Sequence, residues 1–464
     1  MNWPSRGTAI RVVTLLVVVS LLTPSLVSAV TYEPNAQSNL QRGNISSPAN
    51  GTTVVSVQGY TFQGDTNPKK PARLVSVGDR GGTQWTYNST ERGAWFFDVD
   101  PLENGNLLVS SPRDGSTVVY ELDPDTRERV WEERFDIEDT HDVDRLSEDE
   151  LVVANMREWN DTEAGKGSDD RIFVYNRTTD EITWEWYFRD HYPSNTDGGM
   201  NDDWSHVNDV DVIGDDRLLL SPRNFDQAVV VDMETKNITM RLGSDDDYSV
   251  MREQHNPDWM VSDNGTPTIV VADSGNNRIV EYAYENGNWT QTWNVGGNTL
   301  NWPRDADRLP NGNTLVVDTL NHRVVEITPT GEVVWEYYAT WGPYDAERVA
   351  YGDESTNGPT IRDLNASGTY AITGSANLTV GSGENGGFAT RMQATFAGTL
   401  VEEPMDEFAR QWSHVTPWLR PIWMGGWDFV WTIGAVVVLL GWGLTELVVN
   451  RRRLANGVRN VADR

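Results

Sequence analysis

The tightest constraint on this chain is a repeat. Five segments share the pattern x-D-x-D-x-L, a turn and a short Leu/Val strand: WFFDVDPLENGNLLVSSPR, DTHDVDRLSEDELVVANMR, SHVNDVDVIGDDRLLLSPR, EQHNPDWMVSDNGTPTIVVAD and NWPRDADRLPNGNTLVVD. Each runs on into a further strand (Val118 to Leu122, Ile172 to Tyr175, Val229 to Asp232, Ile279 to Tyr282, Val324 to Ile327). Four of the five then reach a last strand carrying tryptophan, as in Val333 to Tyr337, and the third has Ile238 to Leu242 in its place. Four short strands per unit of about 40 to 50 residues mark propeller blades, whose strand edges are hidden by radial packing. The predicted fold is all-β: a six-bladed β-propeller ectodomain with an N-terminal signal or anchor and a C-terminal transmembrane helix. The strands Thr53 to Val57, Arg73 to Val77 and Thr83 to Tyr87 are expected to combine with the Gly-rich segment Gly358 to Thr399 into the sixth blade.

Two apolar runs bracket the repeats. Ala9 to Val30 follows Arg6, contains Arg11 and ends in Val27-Ser28-Ala29, which reads as a secretory signal or as an uncleaved anchor. Phe429 to Val449 is long enough to cross a hydrocarbon core of roughly 30 Å, and Arg451 to Arg453 follow it. The positive-inside rule puts that basic end in the cytoplasm and everything between the runs outside. Trp412, Trp418, Trp423, Trp427 and Trp431 crowd the outer approach like an interfacial belt. The expected organisation is therefore signal or anchor (1–30), linker (31–51), propeller (52–400), Trp-rich juxtamembrane linker (401–428), transmembrane helix (429–449) and cytoplasmic tail (450–464). The chain is expected at the cell membrane, single-pass if the first run is cleaved and two-pass if it is kept.

Composition narrows the partners. A formal net charge of -32 argues against nucleic acid and against a basic membrane-binding face, and fits a high-salt habitat. Acidic runs such as Asp245 to Asp247 read as solvated surface, with calcium ligation as the alternative. The absence of cysteine removes disulfides, thiolate metal sites and cysteine nucleophiles. Tryptophans at strand ends (Trp85, Trp131, Trp184, Trp186, Trp293, Trp335) read as aromatic core and strand pairing. N-x-[ST] sequons begin at Asn44, Asn50, Asn88, Asn160, Asn176, Asn237, Asn264, Asn288, Asn365 and Asn377, which agrees with an exported, glycosylated ectodomain or with a surface simply rich in Asn, Ser and Thr.

The second Asp of each repeat serves as a ruler: Asp100, Asp144, Asp211, Asp258 and Asp307. Three residues before it stand Phe97, His141, Asn208, His255 and Arg304, and five before it Trp95, Asp139, His206, Glu253 and Trp302. Alternation along a strand points these two positions the same way, so on innermost strands they line the central channel. That column holds three of the six histidines, while His191, His322 and His414 fall outside it. Arg113, Arg157 and Arg223 occupy near-equivalent places after the Leu/Val strands. A neutral imidazole is a competent nucleophile, neighbouring arginines disfavour the imidazolium, and arginine matches tetrahedral oxyanions with a fork of donors. A histidine nucleophile with a cationic clamp suits phosphoryl or sulfuryl transfer. Neither a Walker-type loop nor a dinucleotide fingerprint is present, so a nucleotide donor is not indicated.

SHVNDVD with SPRN downstream, a preceding THDVD and a following QHNPD resemble the arylsulfate sulfotransferase family (ASST) over roughly Ala94 to Thr340. The resemblance, to a membrane-anchored member of haloarchaeal type, implies a six-bladed propeller that moves a sulfuryl group from an aryl sulfate donor to a phenolic or other hydroxyl acceptor, without a nucleotide and without a cofactor. It implies His255 as the transiently sulfurylated nucleophile, His141 and His206 as oxygen binders and Arg223 as clamp. Asn208, Arg113, Arg157, Arg304, Trp95 and Trp302 are the candidates for substrate contact, and no metal is expected. The chain departs from the family in having little room for an N-terminal β-sandwich, in lacking cysteine and in ending with a membrane anchor. The turns Asp273 to Arg278 and Asp318 to Arg323 also look like the D-x-x-N-x-R turn of NHL-type blades. Two other readings remain open: metal-dependent hydrolase or lyase chemistry in an NHL-like propeller with the three histidines as ligands, and a non-catalytic propeller that binds a surface glycan or protein.

Overall fold

The computed structural model describes residues 6–31, 40–59, 70–88, 95–113, 115–162, 166–214, 216–354, 358–376, 388–421 and 423–462. Linker residues 32–39, most of the sequon at Asn88, the sequon at Asn377 and the 377–387 part of the Gly-rich segment lie outside them. The chain divides into two compact units, Asn35–Gly383 and Met1–Pro34 with Glu384–Arg464.

The first unit is a six-bladed propeller. Blades 2 to 6 begin with the innermost strands Asp98–Pro101, Val143–Arg145, Val207–Val212, His255–Val261 and Pro303–Arg308 and run outward in chain order. Each innermost strand is the x-D-x-D stretch of its repeat. The Leu/Val strands that follow are buried on both faces, as in Leu218, Leu219 and Leu220, because a blade is covered by neighbours on either side. Six apolar clusters fill the spaces between successive blades; one joins Val152, Ile172 and Trp186 to Val210, Leu218 and Val229. The outer tryptophans serve that packing: Trp186, Trp293 and Trp335 are fully buried, and the Nε1–H of Trp186 and of Trp293 donate to Lys236 O (3.0 Å) and Pro329 O (2.8 Å) on the neighbouring blade.

Closure differs from the expectation. Blade 1 takes Thr53–Val57, Arg73–Val77 and Thr83–Tyr87 from the start of the chain, but its innermost strand is Pro343–Arg348, ahead of the Gly-rich segment. That segment instead adds Gly368–Ala371 as a parallel edge strand on blade 5, while Leu40–Ile45 covers the edge of blade 6. The physical reason lies in the sequence WGPYDAER, which carries the acidic ruler as Glu347 and buries Tyr344 and Ala346, as the innermost place demands. The Gly-rich segment offers no such strand.

The aspartates of x-D-x-D tie neighbouring blades, and Asp144, a second aspartate, accepts the Val212 N–H (2.6 Å). The carboxylate of the first one accepts a backbone N–H from the next blade's innermost strand: Asp98 from Val143 (3.3 Å), Asp142 from Val210 (2.5 Å), Asp305 from Ala346 (3.3 Å) and Asp345 from Val99 (3.0 Å). At the equivalent place in blade 5 stands Pro257, which has no N–H to offer to Asp209. Register irregularities at Val207/Val210, His255/Pro257 and Pro303/Asp305 mark bulges in the innermost strands. A bulge resets the alternation of faces, so the column three residues before the ruler and the ruler acids can both look at the axis.

The second unit contains the helices α1 (Arg6–Thr31), α2 (Phe388–Phe396), α3 (Glu402–Leu419) and α4 (Gly426–Ala462). The stretch read as a Trp-rich linker is thus helical over most of its length. Gly7–Thr31 and Gly426–Arg451 are long and apolar enough to cross a membrane. These two pack antiparallel, with Arg11 Nε and Nη2 donating to Glu446 (2.7 Å each), Ser25 Oγ 2.6 Å from Thr432 Oγ1, and Ser28 Oγ donating to Asp428 Oδ2 (2.6 Å).

The closure makes a prediction. A chain of residues 40–376 retains every propeller strand and should unfold in one cooperative transition. One of residues 40–341 lacks Pro343–Arg348 and should show no cooperative melt by circular dichroism. Equal melting of the two would refute this account of closure.

Candidate functional site

The rings of His141, His206, His255, Phe97 and Tyr344 converge on one place. His141 lies with its centroid 3.9 Å from Phe97, 5.2 Å from His206 and 5.3 Å from Tyr344. His255 is 5.9 Å from Tyr344 and 6.1 Å from Trp302. Arg304 lies over the Tyr344 ring at 4.4 Å and donates to Gln58 Oε1. The three histidines are almost completely buried, at 6%, 3% and 0% exposure, which removes water from any reaction at their rings.

Hydrogen bonds fix which nitrogen of each ring is protonated. Ser274 Oγ donates to Pro303 O (2.6 Å), so towards His255 Nδ1 (2.8 Å) it can only accept, and Glu253 O, 3.1 Å from the same nitrogen, is an acceptor as well. His255 therefore carries its proton on Nδ1 and presents a lone pair at Nε2, which is buried with no hydrogen-bond partner. His206 is arranged alike: Nδ1 donates to Asp203 Oδ1 (2.7 Å) and Nε2 is buried without a partner. His141 is the reverse. Its Nδ1 is 2.8 Å from Tyr344 Oη and its Nε2 3.7 Å from Asp139 Oδ2, which draws the proton to Nε2 and lets the phenol donate to Nδ1. One of the three thus offers a donor and two offer lone pairs.

Burial, more than any other influence, holds these imidazoles neutral. His255 is driven well below the usual histidine range by burial, then by Arg304 and Arg223. His206 is pushed down to about 3 by burial and Arg223, against the pull of Asp203. His141 is lowered by burial, with Asp139 opposing and Arg157 and Arg304 assisting. Burial also raises the Tyr344 hydroxyl, so it stays protonated.

The remaining predicted residues divide. Arg223 opens the short 3-10 turn Arg223–Phe225, bonds Asn224 Oδ1 through Nε (3.1 Å) and Nη2 (2.9 Å), and reaches within 4.0 Å of Asp203. Arg157 bridges the carboxylates beside two of the histidines, with Nη1 to Asp139 Oδ2 (3.0 Å) and Nε to Asp203 Oδ1 (2.8 Å), so it orients rather than faces a ligand. Arg113 bonds Ser116 Oγ within its own hairpin (3.0 Å). Asn208 donates to Gln254 O (2.9 Å) and leaves its buried Oδ1 without a partner. Trp302 stands edge-on to His255, and Trp95 packs on Phe97 at 5.2 Å. Two of the other histidines are structural: His191 stacks on Trp186 at 4.3 Å, and His322 Nδ1 accepts the Gly342 N–H (3.0 Å).

Three contributors escaped the sequence reading. Tyr344 is the sixth member of the column, three residues before Glu347, and aligning PYDAER with PRDADR reveals it. Ser274 occupies in blade 5 the turn position that Arg223 holds in blade 4. Asp203 precedes the repeat and carries no periodic signal. The D-x-x-N-x-R turns are scaffolding: Asp273 is bonded by Arg278 Nε (2.6 Å) and Asn276 Nδ2 (2.9 Å), and Asp318 by Arg323 Nε (2.7 Å) and Asn321 Nδ2 (2.8 Å). Among the described residues, no group of ligand atoms close enough to share an ion includes one of the histidines.

The depressed His206 has a stability signature. An unfolded histidine protonates near 6.5 and the folded one only at about 3. The stability His206 contributes is therefore complete above pH 6.5 and lost as pH falls from there towards 3. The slope is at most about 1.4 kcal/mol per pH unit. Denaturant midpoints between pH 6 and 4 should fall more steeply for the wild type than for His206→Gln, and parallel slopes would count against the neutral, buried ring.

Residues of solved structures resemble this chain only distantly. A protein of unknown function from Bacteroides caccae aligns at 14% identity and TM-score 0.43, covering 65% of this chain and 98% of that one. A virginiamycin B lyase from Staphylococcus aureus aligns at 10% and 0.38 (65% and 88%), and a putative 6-phosphogluconolactonase from Bacteroides fragilis at 11% and 0.39 (64% and 98%). At such values nothing about activity passes to this chain. No curated protein matches the sequence. Residues 58–255, a span that contains His141, His206 and Arg223 and ends on His255, match the family Arylsulfotransferase (ASST).

Proposed function

We propose that this protein is an aryl sulfotransferase that moves a sulfuryl group from an aryl sulfate to a hydroxyl acceptor through a sulfurylated His255. The observation that carries the reading is the fixed tautomer of His255, a buried neutral imidazole whose partnerless Nε2 looks into a site edged by Arg223 and Arg304. In the first step the Nε2 pair attacks sulfur, the S–N bond forms as the aryl S–O bond breaks, and the phenolate leaves and takes a proton from water. In the second, the acceptor oxygen attacks sulfur, the S–N bond breaks, the pair returns to Nε2 and the acceptor's proton goes to water. In this reading His141 Nε2–H and Arg223 donate to the sulfuryl oxygens, whose charge grows in each transition state. His206 can join them: an anion at the site, with Asp203 behind the ring, favours its imidazolium and turns Nε2 into a donor.

With 4-nitrophenyl sulfate as donor, His255→Ala should yield no sulfurylated protein by mass spectrometry. Arg223→Ala should label roughly 100- to 1,000-fold more slowly, the usual cost of losing one such donor. A label mapped to His206, whose tautomer is the same, would move the nucleophile and keep the reaction. Wild-type turnover by His255→Ala would overturn the reading, and a wild type that transfers nothing would favour a binding propeller.

The first helix is inferred to be kept as a membrane span. Its Arg11 ion pair and its Ser25 and Ser28 hydroxyls contact α4, and the antiparallel pairing puts Arg11 at the same end as Arg451 to Arg453. Both basic ends then lie in the cytoplasm and the propeller outside. Protease added to intact cells should remove the propeller and spare a C-terminal tag, and the isolated protein should retain peptides from residues 1–29. A protected propeller would reverse the topology, and loss of those peptides would show a cleaved signal.

A further inference from the structure

Three residues further along each innermost strand than the histidine-bearing column stands a second ring, wholly acidic: Asp100, Asp144, Asp211, Asp258, Asp307 and Glu347. The loop after Glu347 adds Asp353 and Glu354. Carboxylate oxygens of Asp142, Asp209 and Asp211 lie within 4.8 Å of one another, as do those of Asp211, Asp258 and Glu354, of Glu347, Asp353 and Glu354, and of Asp100, Asp144 and Asp353. The groups overlap at Asp211, Glu354 and Asp353 and so form one continuous path.

A cluster of acids alone would not indicate a ligand, but buried oxygens with no partner point into this one. Asp307 is 1% exposed and neither of its carboxylate oxygens has a hydrogen-bond partner; Asp209, also 1% exposed, has Oδ2 unpartnered, and so has Asp211. For Asp209 the cause is plain, since Pro257 stands where the other blades offer an N–H. Asp211 and Asp307 hold the same ring position as Asp258 on the blades to either side of it. Of the arginines next in sequence to the ring, Arg308 Nη2 bonds Glu281 Oε2 (3.0 Å) and Arg348 Nη2 bonds Glu326 Oε2 (2.8 Å), while Arg308 also bears on Asp258 and Arg348 on Asp307 and Glu347.

We propose that this path is a divalent-cation site for Ca2+, centred on Asp211, Asp258 and Glu354 with the open oxygens of Asp209 and Asp307 beside it. The donor set is oxygen only and offers no imidazole or thiolate, which suits a hard cation taking six to eight oxygens and does not suit zinc. The assignment is independent of sulfuryl transfer. Its role is structural: a cation there ties together innermost strands of different blades.

The test uses the full-length chain in detergent, stripped with chelator and then given Ca2+, Mg2+ or K+ alone at constant ionic strength. Ca2+ should bind saturably by calorimetry and raise the melting temperature by about 5 °C or more. Asp211→Asn/Glu354→Gln should lose that shift without melting below the wild type in chelator, because it removes repelling charges. Glu148→Gln, an exposed acid, should keep it. Absence of saturable Ca2+ binding by the wild type, an equal shift from K+ alone, or a full shift in the double variant would each overturn the proposal. If the double variant does not fold, the wild-type calorimetry decides.

Discussion

The propeller depends on one recurring hydrogen bond, in which the first aspartate of x-D-x-D accepts a backbone N–H from the next blade. Apolar clusters hold neighbouring blades face to face, but hydrophobic contact is non-directional and leaves their relative depth free. A carboxylate fixed on one N–H sets that depth, and the four bonds of this kind carry the register across the seam where Asp345 meets Val99. Because the innermost strands of blades 6, 1, 2, 3 and 4 are linked in this way, residues at one repeat position from those blades meet in one plane. His141 and His206 come from two blades linked in this way, whereas blade 5, with Pro257 at that place, is tied beside His255 by the Asn208 Nδ2–H bond to Gln254 O (2.9 Å).

Backbone strain is concentrated at the same place. The position five residues before the ruler acid is left-handed in four blades: His206 (φ 41°), Glu253 (φ 46°), Trp302 (φ 54°) and Gly342 (φ 68°). Only the last is glycine, the residue that adopts this region without cost. A non-glycine residue there costs about 1 to 3 kcal/mol, and each one supplies something glycine cannot or need not. His206 brings a buried imidazole and Trp302 an edge against His255. Glu253 has its carbonyl turned to His255 Nδ1, and its carboxylate is the leading charge that supports the buried Arg223 guanidinium, which glycine could not do.

The repeat was legible in the sequence because its spacing is strict and its strands are bounded by turns. The alignment to the ruler acid carried the column of histidines with it. Closure was not legible, since the innermost strand of blade 1 is separated from its partners by the whole ring and has no Leu/Val strand after it to complete the pattern. Missing that strand meant missing Tyr344. The arginine column was only partly informative: Arg113, Arg157 and Arg223 occupy like positions, yet the carboxylates around them send Arg157 to Asp139 and Asp203 while Arg223 bears on His206 and His255. Equivalent backbone positions do not guarantee equivalent partners, because those partners come from residues such as Asp203 that lie outside the repeat.

Two levels of opposite character follow one another along the same strands. The first holds neutral imidazoles with Arg223 and Arg304 close by, and the second holds carboxylates; Asp209 is near enough to bear on Tyr344. On the sulfuryl-transfer reading proposed above, an anionic substrate would be drawn to the first level and repelled by charge on the second, so the acids would limit how deep a sulfuryl group settles. That repulsion acts over a few ångströms of low-dielectric interior, where charges are weakly screened. The balance between the levels is therefore set by the charge the acid path carries.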